Sequence, residues 1–568
     1  MFIFHDLLFT IYRCVRVQIM VNDTANRASA RRKGSRRWLF AALLFLLFRA
    51  IPNISYPIGR DQATYLVIGE GLLKGQRLYR DLWDNKPPGI FPIYALLGKF
   101  FSHVMWSVGL VDILWLLVIS YFIFRFAERY LGTVAAAIAV AVNADWHCRF
   151  GYTDAGQVEC FLMLLVFVSY VLIAGSDRWP LARHSAAGLC LGGAFWLKYN
   201  ALAFLPLLAL LPHVDWSRLD ERPRRLGLVI PWRTLLRRMG ALLSGFLILV
   251  AVVLGYFYLA GSWPAFKEVQ FEVLPRYASM VVQQTPHYWS MAIARVIHLI
   301  GLWTWVVTGL SFLMAERRDL SRLTPVLIAA GVGFACTASQ FRFSAVSFET
   351  CYPFFAMIWG YVVVKGYGDV SNAARSSARG RRVLGRTAAC ALAAIAVFWP
   401  MPSEVKTVTQ RYQNLAAWRR NPDAFFVNYP AMRFLYESLG GQLQVVRALR
   451  QEAAPGDGLF VWGTDPLIYY LTGLVPPTRF VSNLALLSPW GPPPWRDELV
   501  RDLEKSPPAF IVVAQHDSFE VTYTGLDSDR YLSVYPRLSH FLSSSYDFMT
   551  AFQDFMLYRH KPSPRSPD

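Results

Sequence analysis

Basic residues in this chain come in short blocks set between long apolar runs, an alternation that excludes most ways of folding in water. A helix of roughly 20 apolar residues crosses a bilayer, and flanking lysines and arginines fix its direction. With 55% hydrophobic, 15% aromatic and only 17% charged residues, and a mean hydropathy of +0.32, the 568-residue chain reads as a polytopic α-helical membrane protein. The formal net charge of +19 could suggest a nucleic-acid partner. Its confinement to the ends of apolar runs assigns it to topology instead.

The block Arg31, Arg32, Lys33, Arg36 and Arg37 precedes the apolar run Trp38 to Ile51, so residues 1–37 are expected to form a basic cytoplasmic N-terminus. Residues 1–19 carry Arg13 and Arg16 and lack a small-residue cleavage site, unlike a signal peptide, and Met20 is an alternative start. The next span, Val108 to Phe124, returns to Arg125 and Arg129, which leaves residues 53–106 outside. Within that loop, Ile90 to Phe101 is too short to cross and reads as a juxtamembrane or re-entrant helix begun by Pro87 and Pro88.

The same sign rule carries through the remaining runs. These are Leu131 to Trp146, Val158 to Gly175, Ala186 to Leu197, Ala201 to Leu211 and Leu242 to Leu259. Met291 to Met314, Pro325 to Ser339, Cys351 to Val364 and Thr387 to Trp399 follow. This predicts about eleven crossings in a transmembrane module over residues 38–402. Beyond residue 403 the long apolar runs stop. Short apolar segments at Gly458 to Trp462 and Phe510 to Val513, with helical stretches at Val445 to Glu452 and Pro466 to Leu474, predict a small α/β domain on the outer side over residues 403–568.

The stretch with most chemistry follows the first apolar run: Gly59-Arg60-Asp61-Gln62-Ala63-Thr64-Tyr65, then Tyr79-Arg80-Asp81-Leu82-Trp83-Asp84-Asn85-Lys86-Pro87-Pro88-Gly89. Charged groups at a membrane boundary are costly to desolvate, so their density there marks function. By the same topology Asp154, Glu159, Lys198, Arg342 and Glu349 also fall on the outer side. That suits a substrate with an apolar tail and a charged head. The seven cysteines show no metal-ligand spacing and read as small buried apolar groups, and no phosphate loop, zinc-protease helix or serine-hydrolase elbow is present.

Arg60-Asp61 and Tyr65, the Tyr79 to Gly89 run, Gly192 to Lys198, and Phe460-Val461-Trp462-Gly463 resemble the integral-membrane glycosyltransferases of the GT-C fold. The resemblance is to the bacterial dolichyl-phosphate-mannose-protein mannosyltransferase-like branch, related to the aminoarabinose transferases of lipid A. It implies transfer of a sugar from a polyprenyl-phosphate carrier to a cell-envelope acceptor, with inversion, on the periplasmic face of a bacterial inner membrane. Asp61 matches the first-loop acidic residue and is implied as general base. Lys86 matches the lysine of the Lys-Pro-Pro motif.

A leaving lipid phosphate needs cations, so Arg60, Lys198 and Arg342 join Lys86 as candidate phosphate ligands. Tyr65, Asp154 and Glu159 are candidates for holding the sugar or acceptor, Glu159 because relatives carry an acidic residue there. The chain departs from its relatives at Ser347-Phe348-Glu349, where they often carry His-Tyr. No cofactor is expected; an outer acidic cluster could hold a divalent cation, but no spacing demands one. The same cations would also serve a transporter or flippase of a lipid-linked saccharide, or a polymerase or ligase using pyrophosphate-linked donors. No internal repeat of the transporter kind is evident.

Overall fold

A computed structural model describes residues 24–149, 151–152, 155–175, 178–220, 231–284, 287–341, 343–344, 346–373, 401–429, 438–518, 522 and 524–562. Its helices follow the apolar runs. They are α1 (Thr24–Ala50), α2 (Arg60–Leu73), α3 (Ile90–Phe100), α4 (Ser107–Leu131), α5 (Thr133–His147), α6 (Val158–Ala174), α7 (Pro180–Leu197) and α8 (Trp232–Leu259). Then come α9 (Tyr288–Ile300), α10 (Leu302–Met314), α11 (Arg317–Ala338), α12 (Tyr352–Ala373) and α13 (Met401–Arg420). The run Ala201 to Leu211 folds as three short helical pieces over residues 199–213.

Among the described residues, α1 (from Gly34), α4, α8 and α11 are long and apolar enough to cross a membrane, and α9 with α10, bent by 66°, has the apolar length of a broken span or a re-entrant loop. The sequence count of about eleven also took in shorter apolar helices such as α6, which reach the roughly 20-residue requirement only with neighbouring turns. The run Thr387 to Trp399 lies outside the described residues. Ile90 to Phe101 is the short helix its length predicts.

Helix α6 is apolar on every face and buried along most of its length, which places it at the centre of the bundle. Helices α7 and α8 approach so closely that a Cβ on Gly188 would stand 2.0 Å from the Leu242 carbonyl oxygen, and one on Gly245 2.0 Å from that of Ser185. In lipid such small-residue contacts replace the hydrophobic drive that is missing between apolar helices. Gly245→Val is therefore expected to part the pair, costing about 3 kcal/mol or more because backbone rather than side chain must yield. Reduced yield of monodisperse protein and a lower melting temperature in detergent are the readouts.

After α13 come α14 (Leu439–Glu452), β1 (Leu459–Trp462), α15 (Leu467–Thr472), α16 (Pro494–Lys505), β2 (Phe510–Ala514), α17 (Pro536–Ser545), β3 (Tyr546–Phe552) and β4 (Phe555–His560). The sheet runs in the order β1-β2-β4-β3, with β1 and β2 parallel and the other pairs antiparallel. β1 (Leu-Phe-Val-Trp) and β2 (Phe-Ile-Val-Val-Ala) are buried throughout, as continuous apolar strands covered on both faces must be. Helix α13 docks back on the bundle: Arg411 donates to the carbonyls of Cys148 and Arg149, and the Tyr412 hydroxyl to that of Phe48.

Candidate active site

Gly59 caps α2 in an extended conformation, so Arg60 and Asp61 fall in the first helical turn. A carboxylate there faces the positive end of the helix dipole. Gln62 fixes the helix start from the other side, its amide donating to the carbonyls of Ala155 at 2.8 Å and Tyr152 at 3.3 Å. Asp61 is left 45% exposed, while Tyr65, one turn on, is fully buried.

The Lys-Pro-Pro-Gly segment is held by its backbone. The Gly89 N–H donates to the Trp196 carbonyl at 2.9 Å, and a Cβ on Gly89 would lie 2.7 Å from that carbonyl. Only glycine lets the segment lie this close to the end of α7. The Lys86 carbonyl accepts from the Tyr79 hydroxyl at 2.7 Å and from the Gln270 amide at 3.3 Å, and its N–H donates to Asp84 at 2.7 Å. Its ammonium stands 3.6 Å from the Asp61 carboxylate and 5.7 Å from the centre of the Tyr65 ring. Burial draws the Lys86 pKa down, but Asp61, Tyr65 and Asp84 outweigh it and leave the group well above the ordinary lysine range. Lys86 is a fixed cation beside an accessible carboxylate.

Lys198 follows the last residue of α7, where it pairs with Glu159 of α6 and donates to Gln340 at 2.7 Å. Glu159 is buried, and its charge reaches the Tyr65 hydroxyl, as do those of Lys86, Asp61 and Asp84. Asp61, Tyr65, Lys86, Glu159 and Lys198 thus form one electrostatic neighbourhood. Asp154 and Arg342 lie outside the described residues.

The carboxylates acting on the Arg60 guanidinium are those of Asp465, Asp61 and Asp517, the first and last standing just beyond the carboxyl ends of β1 and β2. Asp465 accepts from the Gln442 amide at 2.8 Å, and Asp517 from the Ser528 hydroxyl at 2.6 Å. Burial, then the charge of Asp517, push Asp465 up to about 7, against the opposing pull of Arg60. The folded pKa exceeds the unfolded value of about 4, so ionising Asp465 costs stability progressively between about pH 4 and the folded value. Asp465→Asn is expected to melt several degrees higher than wild type at pH 8 and to lose that advantage near pH 4. Thermal unfolding at the two pH values checks it.

Two further clusters escaped sequence reading. Arg479 ties the C-terminal sheet region to the outer loop: it pairs with Glu498 at 2.6 Å and Glu268 at 3.3 Å, donates to the Tyr79 carbonyl at 3.2 Å, and accepts from the Trp83 N–H at 2.8 Å through its own carbonyl. The other cluster is wholly buried. His147 places Nε2 2.9 Å from Asp112 and Nδ1 2.8 Å from Glu349, and Asp112 also accepts from Asn53 at 3.2 Å and from the Gly156 N–H at 2.9 Å. No spacing signal reveals it, since each residue lies in or beside a different apolar run.

The dolichyl-phosphate-mannose-protein mannosyltransferase family matches residues 85–230, a span that begins just before Lys86. Among solved structures, ArnT from Cupriavidus metallidurans bound to undecaprenyl phosphate aligns with 94% of this chain and 98% of its own, with a TM-score of 0.51 at 15% identity. The archaeal oligosaccharyltransferase AglB from Archaeoglobus fulgidus, in complex with an inhibitory peptide and a dolichol-phosphate, aligns with 84% of this chain and 69% of its own, at a TM-score of 0.44 and 13% identity. No curated protein matched the sequence. The likeness to ArnT shows a shared fold, and the mannosyltransferase match makes residues 85–230 similar to that family.

Proposed function

We propose that this protein transfers a sugar from a polyprenyl-phosphate carrier to a cell-envelope acceptor, with inversion, on the periplasmic side of a bacterial inner membrane. The observation that carries the reading is the pair formed by accessible Asp61 and Lys86, 3.6 Å apart, of which Lys86 stands at the start of the segment matching a dolichyl-phosphate-mannose-protein mannosyltransferase family. The ArnT structure of similar fold, which is bound to undecaprenyl phosphate, supports the donor class.

In this reading Lys86 turns from Asp61 to the donor phosphate and neutralises the charge that develops as the carbon–oxygen bond to the sugar breaks. Asp61, released from its partner, takes the proton of the acceptor as it attacks the anomeric carbon from the opposite face. Donor binding thereby switches the base on. Lys198 extends the cationic pocket by exchanging Glu159 for phosphate, and Arg342 is a phosphate-ligand candidate from the sequence alone. Arg60, on which the charges of Asp465, Asp61 and Asp517 act, adds a further cation for the phosphate. Tyr65 and Glu159 line the sugar and acceptor side of this neighbourhood, Asp154 is a candidate there from the sequence alone, and residues 403–568 cover the site from outside.

The experiment is transfer of radiolabelled sugar from defined polyprenyl-phosphate donors to extracted envelope acceptors, in membranes carrying wild type or Asp61→Asn. Label reaching an acceptor only with wild type is the expected result. Donor that crosses the bilayer of reconstituted vesicles unconsumed would replace the transferase with a flippase.

A further inference from the structure

We propose that Asp112, His147 and Cys160 form a zinc site that clamps together the ends of α4, α5 and α6 beneath the Asp61 loop. One donor atom from each lies within 4.8 Å of the other two, and all three side chains are buried. They come from the second turn of α4, the last residue of α5 and the first turn of α6. The ends of three separate helices thus meet at one point.

The distances suit a tetrahedral ion. Zinc bound about 2.0 Å from nitrogen and oxygen and about 2.3 Å from sulfur sets N···O near 3.3 Å and S···O near 3.5 Å. Here His147 Nε2 lies 2.9 and 3.1 Å from the two Asp112 oxygens, and Cys160 Sγ 3.6 Å from Asp112 Oδ1. The pairs to Asp112 are within a few tenths of an ångström of these values, and the Cys160 Sγ and a His147 ring nitrogen lie within 4.8 Å of each other.

The surroundings carry the second argument. A histidine bound to zinc commonly has a carboxylate behind its other ring nitrogen, and Glu349 stands 2.8 Å from His147 Nδ1. Asn53 Oδ1 is buried with no hydrogen-bond partner, while its amide nitrogen already contacts Asp112. This oxygen supplies the fourth donor. A mixed nitrogen, oxygen and sulfur set favours zinc over magnesium or calcium. Cys160 binds as thiolate, so loading releases its proton, and with Asp112 it neutralises the dication.

The ion's effect would be to fix Asp112, whose carboxylate holds the Gly156 N–H, and through that loop the Ala155 carbonyl that receives Gln62 beside Asp61. The site is structural and separate from the transfer chemistry.

The test measures metal in full-length protein purified in detergent from zinc-supplemented cells, without chelators. Wild type and Asp61→Asn are each expected to carry about one zinc per chain, and Cys160→Ser and His147→Gln much less. Cobalt exchanged into wild type should show a thiolate-to-cobalt charge-transfer band that Cys160→Ser lacks. Cys160→Ser keeps the side chain's size, so it decides the matter should His147→Gln fail to fold. Wild type that neither carries nor takes up zinc would overturn the proposal. So would zinc that persists in Cys160→Ser but leaves with Asp61→Asn, since the ion would then belong to the outer loop.

Discussion

Asp61→Asn is expected to lower sugar transfer by about 10²- to 10⁴-fold, the usual contribution of a positioned general base, with little change in melting temperature. The two readouts separate because of where Asp61 sits. It is 45% exposed, and the anchoring of α2 rests on Gln62, not on the carboxylate. The amide keeps the size and loses the proton acceptor. Its loss also frees Lys86 from an anionic competitor, so donor binding should be unchanged or tighter while turnover falls. A variant with full turnover would remove the base from the proposed mechanism. A variant that loses donor binding and turnover in parallel would recast Asp61 as a residue that shapes the pocket.

The helices from Trp38 to Val364 were legible because a bilayer permits few alternatives: every backbone polar group must be satisfied within the segment, so apolar length alone writes a helix. The parallel strands β1 and β2 were legible for a related reason, as both are short apolar runs without alternation. The β3–β4 hairpin was not. Its exposed strand Tyr546–Phe552 turns through Gln553 at φ 51°, where a local signal would call for Asn-Gly or Asp-Gly.

The candidate site divides in the same way. Asp61 and Lys86 stand in one dense polar stretch, and the structure brings them together. Lys198 and Glu159 were each seen singly, but their mutual pairing was not, because a salt bridge between α6 and the end of α7 has no sequence period. Arg60 was read as a candidate phosphate ligand, and that Asp465 and Asp517, some 400 residues on, also act on it was not legible in the sequence. Cys160 looked like a small apolar residue among others. Its nearness to Asp112 and His147 depends on the meeting of three helix ends, which only packing determines.

Lys86→Gln is expected to cut transfer by about 10²- to 10³-fold, the scale on which removing one preorganised charge stabiliser acts. Lys86→Arg should recover only part of this. The guanidinium keeps the charge, but it is a planar fork where the pocket holds a compact ammonium 3.6 Å from Asp61 and 5.7 Å from the Tyr65 ring centre. The split between kinetic constants tells which state Lys86 serves. Charge on the phosphate grows as the glycosidic bond breaks, so the loss should fall mainly on kcat, with a smaller rise in donor KM. A loss confined to KM would make Lys86 a ground-state anchor for the lipid phosphate. Stability moves in a definite direction too, because burial already raises the Asp84 pKa against the pull of Lys86. Without the ammonium, Asp84 takes up its proton at higher pH, so Lys86→Gln should be destabilised more at pH 8 than at pH 5. A double variant Lys86→Gln/Asp84→Asn that recovers thermal stability without transfer would separate the two duties of this lysine, holding the loop and meeting the phosphate.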